Sequence, residues 1–325
     1  VLEASTPIGA ARVAAKIGFN PFTQSTTWQE LRAAVQLAEQ VRYDSTWIDD
    51  HLLSDLGSAD QPKLEAWTTL AALAASTETI RLGHLVTSVH FRNPALLAKM
   101  AAMADQISNG RFILGLGAGW YGEECHAFGI TFPQRVQDRL QALRETAQAT
   151  RALLAGEECT VAGAYVTTNS LKLSPPPLQD PLPILIGGSG EKVLLRIVAE
   201  HADLSNFFLD PPCMAQRLAA LDAHLDTVGR NRNEVARTMS TPPVVLREDP
   251  IAAKAILSRQ FLMNQSIMDT AAEQWATTPD LLIAALQPYM QLGVSHIMLG
   301  VLAPFDHETI ERFARDVRPN LVQRA

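Results

Sequence analysis

Ile80-Arg81-Leu82-Gly83-His84-Leu85-Val86 is followed by Pro94-Ala95-Leu96-Leu97-Ala98-Lys99-Met100-Ala101-Ala102-Met103-Ala104-Asp105-Gln106-Ile107, and then by Phe112-Ile113-Leu114-Gly115-Leu116. The first and third runs are short and apolar on successive residues, the pattern of a strand buried on both faces. The middle run opens with a proline, which suits the first turn of a helix. A strand, a crossover helix and a second strand make a βαβ unit, and its two strands must run parallel.

The alternation extends in both directions. Upstream, the pattern predicts a strand over 13–19, and Thr27-Trp28-Gln29-Glu30 has the form of a capping box. The helix it opens runs to about residue 41, with Leu31, Val35, Ala38 and Val41 on one face. A strand over 45–48 and a helix over 64–76 complete that side. Downstream comes a long helix over 134–154, then an interruption of short extended pieces over 158–173 and a stiff Pro175-Pro176-Pro177. Alternation resumes at 182–186, 191–199, 204–207 and 215–228. A seventh strand is predicted over 239–246, with Pro242 and Pro243 blurring its limits. Helices ending at 280–292, a strand over 296–299 and a helix over 306–317 close the chain.

Eight strand–helix units fit either a closed barrel or a doubly wound open sheet. Eight in 325 residues favour the (β/α)8, or TIM, barrel. The expected organisation is an N-terminal arm over 1–12 and one barrel over 13–325, with an insertion after the fourth helix at about 156–181. In both architectures the chemistry gathers at the C-terminal ends of the strands.

Bulk properties narrow the function. Lys and Arg total 27 against 34 Asp and Glu, a net charge of −7 with no basic block. That disfavours nucleic acid or an anionic membrane as partner. Cys125, Cys159 and Cys213 are far apart and odd in number, so neither a disulfide framework nor a thiolate metal site is expected. Residues 1–16 lack a basic segment followed by an apolar run, and no stretch reaches membrane-span length. The expectation is a cytoplasmic protein acting on a small molecule, with a homodimer left open.

The strand ends supply the candidates. Asn20-Pro21-Phe22 follows the first, Asp49-Asp50-His51 the second, and Leu85-Val86-Thr87-Ser88 the third. Gly115-Leu116-Gly117-Ala118-Gly119-Trp120 ends the fourth, Gly187-Gly188-Ser189-Gly190 the fifth, and Ser205-Asn206-Phe207 the sixth. His51 sits on a polar turn where an imidazole can exchange a proton near neutral pH, although it could equally pack or hydrogen-bond there. No HxH or HExxH spacing accompanies it, and no metal is expected. The Gly187–Gly190 loop lies between a strand and a helix, where free N–H groups can hold a phosphate; a tight turn needing positive φ is the alternative. Gly117, Gly119 and Gly122 match G-x-G-x-x-G, but after the fourth strand and without a clear helix, so close approach to a flat ring suits them better than a dinucleotide site. Trp28, Trp47, Trp67 and Trp275 lie in periodic segments and read as core, while Trp120 and Tyr121 could line a pocket.

Several runs in one order resemble the luciferase-like monooxygenase family. They are Leu64-Glu65-Ala66-Trp67, Ile80-Arg81-Leu82-Gly83, and Arg92-Asn93-Pro94-Ala95-Leu96-Leu97-Ala98-Lys99. Ile107-Ser108-Asn109-Gly110-Arg111-Phe112 leads into Gly115–Trp120, and Ile184–Gly190 is followed by Ala199-Glu200-His201-Ala202-Asp203. The resemblance is clear over residues 13–210 and looser beyond. It implies a barrel binding coenzyme F420, a deazaflavin, or alternatively FMN at its mouth. The match is nearest to the F420-dependent branch, whose Asp-His pair falls on Asp50 and His51 as the catalytic candidates. It implies a non-proline cis peptide and bulge at Leu85–Val86 backing the ring. Cofactor contacts are then expected from Leu85, Val86, Thr87, Gly117, Ala118, Gly119, Gly187, Gly188, Ser189 and Gly190.

Two positions depart from the sugar-phosphate dehydrogenases of that branch. Asp55 stands where they carry a tryptophan, and Trp120 where they carry a catalytic glutamate. Glucose 6-phosphate is therefore a poor expectation, and Glu123 and Glu124 are the nearby candidates for an acid/base partner of His51. The reading is hydride transfer between F420 and a small organic substrate. An FMN-dependent monooxygenase and a non-catalytic flavin-binding protein are the alternatives.

Overall fold

The computed structural model describes residues 13–266 and 270–323; the expected arm over 1–12 lies outside them. Eight strands form the frame: β1 Lys16–Pro21, β2 Ser45–Ile48, β3 Arg81–His84, β4 Phe112–Gly117, β5 Ile184–Gly187, β6 Leu204–Phe207, β7 Ala236–Pro243 and β8 His296–Val301. Each pairs in parallel with the next, and β8 pairs with β1 over six residues, which closes the barrel. The open doubly wound alternative is thereby excluded.

The crossover helices are α1 Trp28–Gln40, α2 Ala66–Ser76, α3 Pro94–Ile107, α4 Val136–Leu154, α5 Leu194–His201, α6 Pro211–Val228, α7 Pro279–Gln291 and α8 His307–Arg312. Their starts follow the sequence. Thr27 caps α1 through a full capping box with Glu30, and Asn93 caps α3 with Pro94 in the first turn.

Two layers of core result. The larger lies between strands and helices, and the smaller fills the barrel, where Trp47, Ile113, Leu185 and Met298 pack together. Leu85 and Val86 lie partly buried against that inner plug. Polar groups beside it satisfy one another: Trp47 Nε1 donates to Ser45 Oγ at 2.7 Å, and that oxygen lies 2.9 Å from His296 Nε2. Burial pushes the His296 imidazole down to about 3, so it stays neutral there. A filled interior leaves the mouth as the place for a ligand.

Two details differ from the sequence reading. The third strand leaves the ladder after His84, and Thr87–Ser88 rejoin β4 beyond Leu85 and Val86. The seventh strand spans Ala236–Pro243, not 239–246; Val245–Leu246 instead pairs with Ala276–Thr277. Helix Pro250–Met263 lies between those two short strands and packs Ala253, Leu257 and Phe261 on them in a separate apolar cluster. Between α4 and β5 an antiparallel ribbon, Cys159–Ala162 with Thr167–Leu171, forms the interruption. No described helix is long and apolar enough to cross a membrane.

Candidate active site

A cavity of about 470 Å³ opens over the C-terminal ends of the strands. β1 contributes Asn20, and the turn after β2 contributes Asp49, His51 and Asp55. Leu85 and Val86 form its apolar floor. Gly117–Trp120 and Gly187–Ser189 form two walls, with Asn206, Phe208, Ser240 and Thr241 opposite. Of the sequence-predicted residues, His51, Leu85, Val86, Gly117, Ala118, Gly119, Gly187, Gly188 and Ser189 are brought together here. Asp50, Thr87 and Gly190 are not among its lining.

Asp50 is buried beside the cavity. Its carboxylate pairs with the Arg92 guanidinium, Nη1 at 2.5 Å and Nη2 at 3.2 Å, and accepts from the Thr87 hydroxyl. Burial outweighs Arg92 and pushes this carboxyl up to about 6. Arg92 also reaches Glu65 and lies over the Trp67 ring. Asp50 and Thr87 thus tie the end of β2 to the segment that carries Leu85 and Val86.

The partner of His51 is Glu124. Its Oε1 lies 2.9 Å from His51 Nδ1, and its Oε2 accepts from the Leu52 N–H at 2.8 Å. Glu124 stands in the one-and-a-half-turn helix Gly122–Ala127 and is buried, whereas Glu123 beside it is exposed. His51 Nε2 lies 3.7 Å from Asp55. Burial alone would lower the imidazole, but the Glu124 hydrogen bond and the charges of Asp55 and Asp49 outweigh it and hold His51 above its usual value. Trp120 meets the His51 ring edge-on at 5.4 Å and stacks on Tyr121.

Asp49, His51 and Asp55 bring three possible metal ligands within 4.8 Å of one another. Lys63, nearly buried, already sits between the two carboxylates: its ammonium pairs with Asp49 and lies 3.6 Å from Asp55. Against burial, Lys63 and then His51 hold the Asp49 carboxyl below its ordinary value. The cation of this cluster is a side chain.

The glycines have a use that sequence reasoning missed. A Cβ on Gly117 would stand 2.4 Å from Val86 Cγ2, one on Gly187 3.1 Å from Val86 Cγ1, and one on Gly115 1.8 Å from the His84 carbonyl oxygen. These glycines let Val86 seat itself at the centre of the mouth, and the peptide between Leu85 and Val86 is cis. Gly188 differs: its φ of 127° suits glycine alone, and its N–H donates to Asn206 O at 3.2 Å. The next amides, of Ser189 and Gly190, find no main-chain acceptor among the described residues.

A profile of the luciferase-like monooxygenase family matches residues 11–296. The chain belongs to that family. It is an oxidoreductase of the luciferase-like type. A relative named F420-dependent glucose-6-phosphate dehydrogenase, from Microbacterium testaceum, is 26% identical, the alignment covering 95% of this chain and 98% of the relative. Among solved structures, an F420-dependent secondary alcohol dehydrogenase in complex with an F420–acetone adduct superposes with a TM-score of 0.79, at 20% identity, over 95% of this chain and 99% of that one. A monooxygenase from Streptomyces bottropensis gives 0.78 at 22% identity over 94% and 99%. At such identities the two structures establish the barrel of this luciferase-like enzyme and leave its chemistry to the mouth.

Proposed function

We propose that this luciferase-like enzyme uses coenzyme F420 to transfer hydride to or from a small organic substrate. The observation that carries the reading is the mouth itself, an apolar platform of Leu85 and Val86 with one proton-active imidazole at its edge. The relatives named for F420 support it. The site fits a flat ring with a phosphate tail. Leu85 and Val86 would back the ring, Gly117–Gly119 would wall it, and the Ser189 and Gly190 amides would receive the phosphate as main-chain donors. When bound, F420 supplies a two-electron carrier that gives or accepts hydride.

The protein's own part is a proton. Glu124 accepts from Nδ1–H, so in the neutral tautomer the lone pair of His51 stands on Nε2. Nε2 can then take the proton of an alcohol as hydride leaves its carbon, or return one to a forming alkoxide. Asp50 is proposed as a positioning residue, which holds Thr87 and through it the Leu85–Val86 platform. The chain is proposed to act as one barrel domain with the ribbon insertion.

Fluorescence titration with F420 and FMN, followed by reduction assays, tests this. F420 binding without oxygen consumption is expected. FMN binding with NADH-linked oxygen uptake would instead mark a monooxygenase, and binding without turnover a flavin carrier. His51→Ala should lower turnover by about 10²-fold or more while changing F420 affinity little. Unchanged turnover would remove His51 from its role.

A further inference from the structure

A second cavity of about 360 Å³ adjoins the mouth and shares Phe208 and Ser240 with it. It runs outward between the ends of β6 and β7 toward α7, and Met239, Pro242, Trp275 and Tyr289 complete its apolar lining. The tyrosine hydroxyl is already engaged, donating to Leu209 O at 3.0 Å. Trp275 is nearly buried and Phe208 is 63% exposed. Three aromatic side chains, a methionine and a proline around one volume make a site for apolar matter.

Charge points the same way. Among the described residues no Lys or Arg lines either cavity, and the charged side chains that do are Asp49, Asp55 and Asp210, besides His51. Asp210 is itself engaged, capping α6 by accepting from the Cys213 N–H at 2.8 Å. Phosphate recognition by side chains calls for Arg or Lys donors, and the Lys63 ammonium beside the mouth is already held between Asp49 and Asp55. The Ser189 amide, on the Gly187–Ser189 wall, and that of Gly190 next to it are taken up by the cofactor in the reading above.

We propose that the pocket between β6, β7 and α7 is a substrate subsite for an uncharged apolar substituent, aryl or branched alkyl. The substrate is then a small neutral molecule whose reacting carbon lies in the mouth and whose apolar group fills the side pocket. Sugar phosphates are excluded by the same chemistry. The inference rests on the reading of the mouth as the redox site, but the pocket can be tested without the cofactor.

The test is a ligand-observed NMR titration of the full chain, without F420, using 1-phenylethanol and glucose 6-phosphate as probes. 1-Phenylethanol should bind, and Phe208→Ala and Trp275→Ala should each weaken it by about five- to tenfold. Glucose 6-phosphate should give no binding over the same concentrations. If Trp275→Ala does not fold, the exposed Phe208 remains as a variant that costs no core. Unchanged affinity in Phe208→Ala, absence of 1-phenylethanol binding, or equal binding of glucose 6-phosphate overturns the proposal. F420 binding by the same sample is read separately. A protein that takes 1-phenylethanol in this pocket but no F420 keeps the subsite and loses the cofactor reading. One that takes F420 alone keeps the cofactor reading and loses the subsite.

Discussion

Replacing Glu124 by glutamine keeps the size of the side chain and removes its charge. The carboxylate now accepts from His51 Nδ1 at 2.9 Å and counteracts the burial of the ring. Glu124→Gln should therefore lower the imidazole's pKa, and the pH at which His51 loses its proton should move to the acid side in kcat/KM profiles. An unmoved profile would sever Glu124 from the proton. The stability term has the matching sign. With the folded value above the usual 6.5, the pair's contribution is complete below 6.5 and fades as pH rises through the folded value.

At Gly117 a second substitution follows from sterics. Gly117→Ala would bring a Cβ to 2.4 Å of Val86 and should cost roughly 1–3 kcal/mol in urea unfolding, with weaker F420 binding. Val86→Ala in that background should recover part of the loss, and purely additive effects would show that the two do not meet. The sequence singled out both His51 and Gly117 and read Gly117 as a close approach to a flat ring; the structure adds that Val86 stands where its Cβ would be. Glycine reports that something comes close, not what. Glu124 was within reach of the sequence as one of two adjacent acids; choosing it over Glu123 needed the direction in which a short helix turns each side chain. Asp50 and His51 are neighbours in the chain but take different partners, Arg92 and Thr87 for the one and Glu124 for the other.

Elements were the most legible scale, because parallel strands buried on both faces leave short apolar runs that helices with caps separate. Reading failed where that contrast fades. Pro242 and Pro243 did not end the apolar run in sequence, yet β7 stops at Pro243 and Val245–Leu246 pairs elsewhere. The Ser108–Arg111 run, informative only as part of a resemblance, proves to be a staple. Arg111 donates to the carbonyls of Ala74, Thr77, Ile80 and Ser108, so one guanidinium fixes the end of α2 and the entries to β3 and β4. Arg111→Met would leave those carbonyls without that donor and should destabilise the chain by about 2–4 kcal/mol in denaturant unfolding. Its effect on turnover should be small once the protein is folded, since the staple lies at the N-terminal ends of the strands. A loss of activity out of proportion to stability would place it in the chemistry.

On the scale of the molecule, closure of the barrel couples the site to every element. β8 bonds to β1, and the floor residues Leu85 and Val86 rest on the plug of Trp47, Ile113, Leu185 and Met298 drawn from four strands. A ligand on that floor therefore binds only when the whole ring is formed. Binding to the native state alone stabilises it by RT ln(1 + [L]/Kd), about 2.7 kcal/mol at a hundredfold excess over Kd. F420 at that excess should raise the unfolding midpoint by a few degrees, with far-UV circular dichroism and tryptophan fluorescence moving together in one transition. FMN at equal concentration should leave the midpoint where it was. Two transitions, only one of them responding to F420, would divide the chain into units that melt apart and refute the single barrel domain. A rise with FMN and none with F420 would keep the domain and transfer the mouth to oxygen chemistry.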